Sequence, residues 1–351
     1  NVAQAGALAM LYQSQVPRNQ IQIGSVREAW DALGPIPTIT IGQDDGDELR
    51  CMLGVPRSTQ QASGPGGPEQ DNGPGGDRCD GNRAELRATI EVKARATRGT
   101  GRNVVGVIPG RDFGRRDASG KSLDHQIVFG AHYDTWYVGS VDNGCGVAAL
   151  LGLADMRARP QQTPEHTIVF VAFDGEEVGL YGGYDYLRNH QDDGILTIVN
   201  FEMPAAETDI LTGGFETLVS GVATSEIAVI KDALRDSQAA GLFTAFAVNL
   251  GLDRIARMFG GIIPTDIQGF YRSGIPTIST ASSSPWYHTR SDTPDKVDTK
   301  AVARAVRAFS RTTDRLLATG PESFRQRDPK LWDASVEVLT ASDADALVEV
   351  T

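Results

Sequence analysis

The sequence predicts a three-layer αβα domain around a mostly parallel sheet, and two observations carry that expectation. From about residue 102 onward, short apolar runs of strand type alternate with longer segments of helical character. Those runs lack polar alternation, the mark of strands covered on both faces. A small β-rich unit is expected ahead of this region.

Residues 1–98 form one compositional unit. "NVAQAGALAMLY" reads as a short helix leading into a strand, "IPTITI" (36–41) as a strand, and "DDGDELRCML" as a turn entering a helix. The stretch 56–82 is rich in Gly, Pro, Ser, Asp and Gln and buries too little apolar surface to order itself, so a disordered loop is expected there. "LRATIEVKARA" then places Leu86, Ala88, Ile90, Val92 and Ala94 on one face with the period of a strand. A second domain is expected over 99–324. Its strands are "NVVGVIPG", "HQIVFGAHYD", "HTIVFVAFDG", "ILTIVNFEM" and "GIPTISTA", and its covering helices span 146–159 and 300–318. In the last helix Val302, Val306, Phe309 and Leu316 share one face. The remaining stretch, 325–351, is an acidic tail with weak patterning.

With 351 residues, 40% of them hydrophobic, the chain has room for one large α/β domain and a smaller module, each with its own core. A net charge of -12 with no basic block argues against nucleic acid or an anionic membrane as partner. No run of 18 apolar residues is present, so no membrane span is expected. Three cysteines, Cys51, Cys79 and Cys145, are too few for a thiolate metal site or a disulfide framework, although Cys51 and Cys79 can pair across the Gly/Pro-rich segment. The chain starts at Asn1 in mid-pattern, from which an upstream portion is expected. No sequence feature specifies an oligomeric state.

Five segments place a metal-competent side chain just past a predicted strand, where open α/β sheets build their sites. "GAHYDTW" offers His132, with Asp134 positioned to accept its other ring proton and so fix the tautomer. "SVDNGCG" offers Asp142, "DGEEVG" the adjacent Glu176 and Glu177, "VNFEMP" Glu202, and "PWYHTRSDTPD" His288. Taken singly, each has a plainer explanation, such as a helix cap for Asp142 or helix-dipole acids for the two glutamates. Taken together at strand ends, they describe a cation site, because adjacent carboxylates are costly to bury without positive charge. Two imidazoles and three carboxylates suit a pair of Zn²⁺ ions, with the remaining acid free to act as a base.

The segments "GAHYDTW…VDNGCGVAALL", "TIVFVAFDGEEVGLYGG", "VNFEM" and "WYHTRSDTPDKVD" resemble the co-catalytic di-zinc exopeptidases, peptidase family 28, over about 102–318. That family includes bacterial aminopeptidases and glutamate carboxypeptidase. The resemblance implies two Zn²⁺ ions and a peptide substrate. His132 and Glu202 would hold one ion, Glu177 and His288 the other, and Asp142 would bridge them. Glu176 would be the general base, and Tyr287 either donates a hydrogen bond to the substrate oxygen or simply packs. Residues 1–98 resemble part of a protease-associated domain, and the family likeness implies a secreted or periplasmic location.

Two positions depart from the family's pattern. Glu202 stands where an aspartate is usual, and Cys145 stands where a small hydroxyl residue is commoner, read here as a packed small hydrophobe. Aminopeptidase action is expected. The alternatives are a carboxypeptidase with Arg272 or Arg290 holding the substrate carboxylate, a non-catalytic receptor-like member of the fold, and a single-zinc cyclase of N-terminal glutamine, which His132 disfavours by completing a second site.

Overall fold

A computed structural model of the chain describes residues 2–14, 16, 18–24, 34–55, 87–95, 97, 99–159, 162–204, 215–220 and 265–324. The expected loop at 56–82, Cys79 and the tail 325–351 lie outside the described residues. Near the start, β1 (Met10–Gln13) pairs in parallel with β2 (Thr38–Ile41), and α1 (Gln43–Met52) follows. The helix expected before β1 is a run of turns over 2–6. Residues 87–95 form no strand either. They are mostly exposed, and among the described residues no neighbouring strand offers their alternating face a partner. Period-2 spacing alone does not make a strand without a surface to pack on.

The larger sheet contains β3 (Val104–Ile108), β4 (Gln126–His132), β5 (Thr167–Phe173), β6 (Ile195–Asn200), β7 (Phe215–Ser220) and β8 (Thr277–Ser283), in the spatial order β3-β5-β4-β6-β8-β7. The four inner strands are parallel, and both edge strands run antiparallel to their neighbours. The five strands expected after residue 102 are all present, and β7 is an addition. The antiparallel edge strand β3 departs from the expected burial: Val104 is 64% exposed, because only β5 flanks it.

Among the described residues, the helices of this half are α2 (Cys145–Ala158), α3 (Tyr181–His190), α4 (Ile267–Arg272) and α5 (Thr299–Leu317). They divide between the two faces of the sheet. On one, Ile127, Phe129 and Ala131 of β4 pack with Leu150 and Leu153 of α2 and Phe309 of α5. On the other, Val128 of β4 and Val169 and Val171 of β5 pack with Tyr186 of α3 and Phe270 of α4. Alternate residues of one strand therefore feed opposite cores, which is the three-layer arrangement the apolar runs predict. Asp298 caps α5, its carboxylate accepting from the N–H groups of Lys300 and Ala301.

The strand order places the site. After β4 the chain crosses to β5 on one side, then returns past β4 to β6 on the other. The C-terminal ends of β4 and β6 consequently adjoin at a reversal of strand order, with Gly130 opposite Asn200. Loops leaving such a point diverge and open a crevice between them.

Candidate metal centre

His132 ends β4 and is fully buried. Its Nδ1 donates to the backbone carbonyl of Asp134 at 2.9 Å, which turns Nε2 toward the crevice. The partner differs from expectation in one respect. The Asp134 carboxylate stands 3.7 Å from that nitrogen and instead accepts the backbone N–H groups of Glu176 (3.0 Å) and Glu177 (3.2 Å). Asp134 thus holds the turn carrying both glutamates and orients His132 through its main chain. An ionised carboxylate accepting from backbone N–H groups makes stronger bonds than a neutral acceptor would.

Asp142 lies in the kinked segment Ser140–Gly144 that leads into α2. Its Oδ1 is 3.3 Å from His132 Nε2 and its Oδ2 is 3.1 Å from His288 Nε2. One carboxylate therefore stands between two imidazoles. Glu202 Oε1 flanks His132 Nε2 at 3.2 Å, and Glu177 Oε2 flanks His288 Nε2 at 2.9 Å. All five candidate ligands meet in one cluster. Possible ligand atoms of His132, Asp142 and Glu177 lie within 4.8 Å of one another, as do those of His132, Glu176 and Glu202. Cys145 belongs to neither group; its buried thiol donates to Val141 O at 3.1 Å.

The extra methylene of Glu202 has a structural account. Thr265 Oγ1 donates to Glu202 Oε2 at 3.0 Å, leaving Oε1 to face His132. Thr280 Oγ1 accepts from Glu202 N and donates to Glu202 O, at 2.8 and 3.0 Å. Both ends of the long side chain are fixed. Two further supports come from residues the sequence reading did not single out. Asp292, 2% exposed, accepts the N–H groups of Val141 (2.7 Å) and Asp142 (3.0 Å). Asn143 donates to Phe201 O (2.7 Å) and accepts from Met203 N (2.9 Å), spanning the backbone on both sides of Glu202. Gly146 permits this contact, since a Cβ there would lie 2.1 Å from Asn143 Oδ1 and 2.4 Å from Phe201 O. The only local hint in the sequence is the Asn-Gly-x-Gly run itself.

Asn143→Ala is expected to destabilise the fold by about 1–3 kcal/mol for each of the two backbone groups it strips of a partner. Denaturant unfolding followed by circular dichroism measures this loss.

The electrostatics follow from crowding acids into a buried crevice. Burial and the surrounding carboxylates of Glu202, Asp266 and Asp142 push the pKa of Glu176 well above its usual range, with His132 opposing them. Burial likewise raises Glu177 to about 7. For His288 burial works against the charge, but the carboxylates of Asp142 and Glu177 outweigh it and raise the ring to about 9. Asp266, fully enclosed beside this group, is also raised well above normal by burial. Burial and the acids Asp142, Glu176 and Glu177 keep the Tyr287 hydroxyl protonated, while its ring stacks on His288 with centroids 3.7 Å apart.

These shifts give the protein stripped of divalent ions a pH dependence. Both Glu177 and His288 hold their protons more tightly in the folded state than the usual 4.5 and 6.5 of the free groups. Their stabilisation is complete below those values and is lost as pH rises through about 7 and about 9. The Tm of chelator-treated protein should therefore fall between about pH 5 and about pH 9. Adding zinc should flatten that slope, because metal displaces the same protons.

The donors fit a metal. Asp142 Oδ2 and His288 Nε2 are buried and face each other without a hydrogen bond. Each Nε2 confronts two carboxylate oxygens at 2.9–3.3 Å, more acceptors than one ring N–H can serve. Ligand atoms around a tetrahedral zinc ion with bonds of about 2.0 Å lie about 3.3 Å apart, close to these separations.

Known proteins share sequence and fold with the chain. The chain is 26% identical over 288 residues to "Aminopeptidase NAALADL1" of Rattus norvegicus, a match covering 75% of this chain and 37% of that protein. It is 23% identical over 205 residues to "Probable glutamate carboxypeptidase VP8" of Zea mays, covering 55% of this chain and 26% of the relative. The chain thus spans well under half the length of these relatives. Among solved structures, a "Peptidase M28 precursor" from Shewanella amazonensis superimposes with a TM-score of 0.60 at 20% identity, covering 91% of this chain and 62% of the other. Among the described residues no helix is long and apolar enough to cross a membrane. The model of peptidase family M28 matches residues 103–313, so the chain belongs to peptidase family M28.

Proposed function

We propose that the chain is the catalytic part of an exopeptidase that uses two Zn²⁺ ions and acts as an aminopeptidase on peptides. The observation that carries this reading is the Asp142 carboxylate held between the Nε2 atoms of His132 and His288, with Glu202 and Glu177 on the outer flanks. His132, Glu202 and Asp142 would hold one ion, and His288, Glu177 and Asp142 the other. When bound, such ions polarise the scissile carbonyl and lower the pKa of the attacking water.

The chain's own residues do the rest. Glu176, whose pKa burial and the neighbouring acids raise well above the ordinary carboxylate range, takes the water's proton and returns it to the leaving amine. Asp134 holds Glu176 in place through its backbone N–H. Tyr287, kept protonated, offers an O–H to the carbonyl oxygen as negative charge develops there.

Polarity is argued from charge. Asp134, Asp142, Glu176, Glu177, Glu202 and Asp266 crowd one crevice, an environment that favours a cationic α-amine over a second carboxylate. One observation favours carboxypeptidase action instead: Arg290, two residues past His288, lies 5.0 Å from the ring centroid of Tyr137 at the exposed rim. Hydrolysis of aminoacyl anilides against that of N-blocked dipeptides ending in glutamate decides between the two. Elemental analysis giving about two zinc equivalents supports the centre, and none would sink it.

Residues 1–98 are proposed to be part of a protease-associated module, to which β1, β2 and α1 belong. The disulfide at Cys51 supports maturation in an oxidising compartment outside the cytoplasm.

A further inference from the structure

Among the described residues, the N-terminal unit meets the candidate centre through residues 18–24. Gln22 Nε2 donates to Tyr287 O at 3.4 Å, and Ile23 N donates to His288 O at 3.0 Å. In return, His288 Nδ1 donates to Ile23 O at 2.8 Å. Arg18 adds a weaker contact, its guanidinium carbon 4.7 Å from the ring centroid of Trp286. His288 is thus gripped at its backbone and at its ring by one residue of the other unit. The grip matters because His288 has a positive φ of 59°, an uncommon conformation for a non-glycine residue that its surroundings must maintain.

The two histidines of the centre are served differently. The carbonyl that orients His132 belongs to Asp134, in the same loop. The carbonyl that orients His288 lies 265 positions away along the chain. An imidazole that donates its Nδ1 proton to a carbonyl is left, when neutral, with its lone pair on Nε2. Nε2 is the atom facing Glu177 and Asp142.

We infer that the segment Gln22–Gly24 of the N-terminal unit is a positioning element for His288: its Ile23 carbonyl selects the tautomer and direction of that ring, so retention of the metal beside Glu177 depends on how the unit is seated. This rests on the reading of His288 as a ligand. It gives the N-terminal unit a part in building the centre, besides any role in limiting access to the cleft. The metal beside Glu202 has no such dependence.

The test uses the full chain and titrates bound zinc against a chromophoric chelator, alongside thermal melts of the metal-free protein. Ile23→Pro removes the N–H given to His288 O and disturbs the reciprocal pair. It should weaken one zinc equivalent by about 10–100-fold, the usual effect of losing an outer partner, while the other keeps its parental affinity. Gln22→Ala should shift the same equivalent in the same direction by less. Ile23→Leu keeps the main-chain pair and should leave both equivalents unchanged. Should Ile23→Pro fail to fold, Gln22→Ala decides alone.

Parental affinity for both equivalents in Ile23→Pro and Gln22→Ala overturns the inference. Equal weakening of both equivalents also overturns it, since that marks general destabilisation. His288→Ala serves as the reference: if it too keeps both equivalents, the reading of His288 as a ligand has failed, a result distinct from failure of the positioning role.

Discussion

Glu176→Gln is expected to reduce kcat by about 10²–10⁴-fold, the range for losing a general base, with zinc content unchanged. The amide is nearly isosteric, and the backbone N–H held by Asp134 at 3.0 Å is unaffected, so the loop should keep its shape. Only the capacity to accept and return a proton disappears. Because Glu176 can approach His132 and Glu202 within ligand distance, metal content is the discriminating measurement. If Glu176→Gln loses a zinc equivalent as well as activity, Glu176 is a ligand and the base lies elsewhere.

Asp142→Ala should have the larger effect on metal. This carboxylate is the group common to both imidazoles, at 3.3 Å from one and 3.1 Å from the other. Removing it strips a ligand from each ion at once, so both equivalents should weaken by more than the about 10–100-fold that follows loss of an outer partner. Replacing a ligand on one side only, as in Glu202→Ala or His288→Ala, should spare the opposite equivalent. Stoichiometry by elemental analysis after dialysis against a weak chelator separates the patterns. Loss of a single equivalent in Asp142→Ala would show that the carboxylate does not bridge.

Much of this architecture was legible from local pattern. The apolar runs of β4, β5 and β6 are buried on both faces, so their sequences carry no polar alternation to mislead, and Thr277–Thr280 of β8 are buried as well. The helix α5 was legible as a long segment with one apolar face, and α2 as an apolar run too long for a strand. The spacing gave no helix at Tyr181–His190, which opens on Tyr-Gly-Gly and is held by burial of Tyr186 and Leu187 rather than by propensity. At six residues α4 is too short to show a period, and β7 earns its place by pairing with β8. The alternation failed in the opposite way over 87–94, offering a strand pattern that no strand among the described residues receives.

The candidate ligands could be read because strand ends are where parallel sheets gather side chains. Their supports could not. Asp292 reaches Val141 across 151 positions, and Thr265 reaches Glu202 across 63. Contacts of that separation leave no period in the chain. Asp134 illustrates the finer limit: its neighbourhood to His132 was predictable, but which of its oxygens serves the ring depends on the turn that brings Glu176 and Glu177 beneath it.

His132 ends β4 and Asp142 lies in the connection after it, Glu177 and Glu202 follow β5 and β6, and the last donor, His288, follows β8, near the end of the paired strands. A ribosome delivering this chain from its N-terminus would release His132, Asp142, Glu177 and Glu202 well before the fifth donor emerged. Cation uptake in full coordination is therefore a late event in the life of the molecule, completed only after β8 has docked beside β6. Occupancy would then be decided by the ion supply of the compartment where maturation finishes, whatever the supply at the site of synthesis.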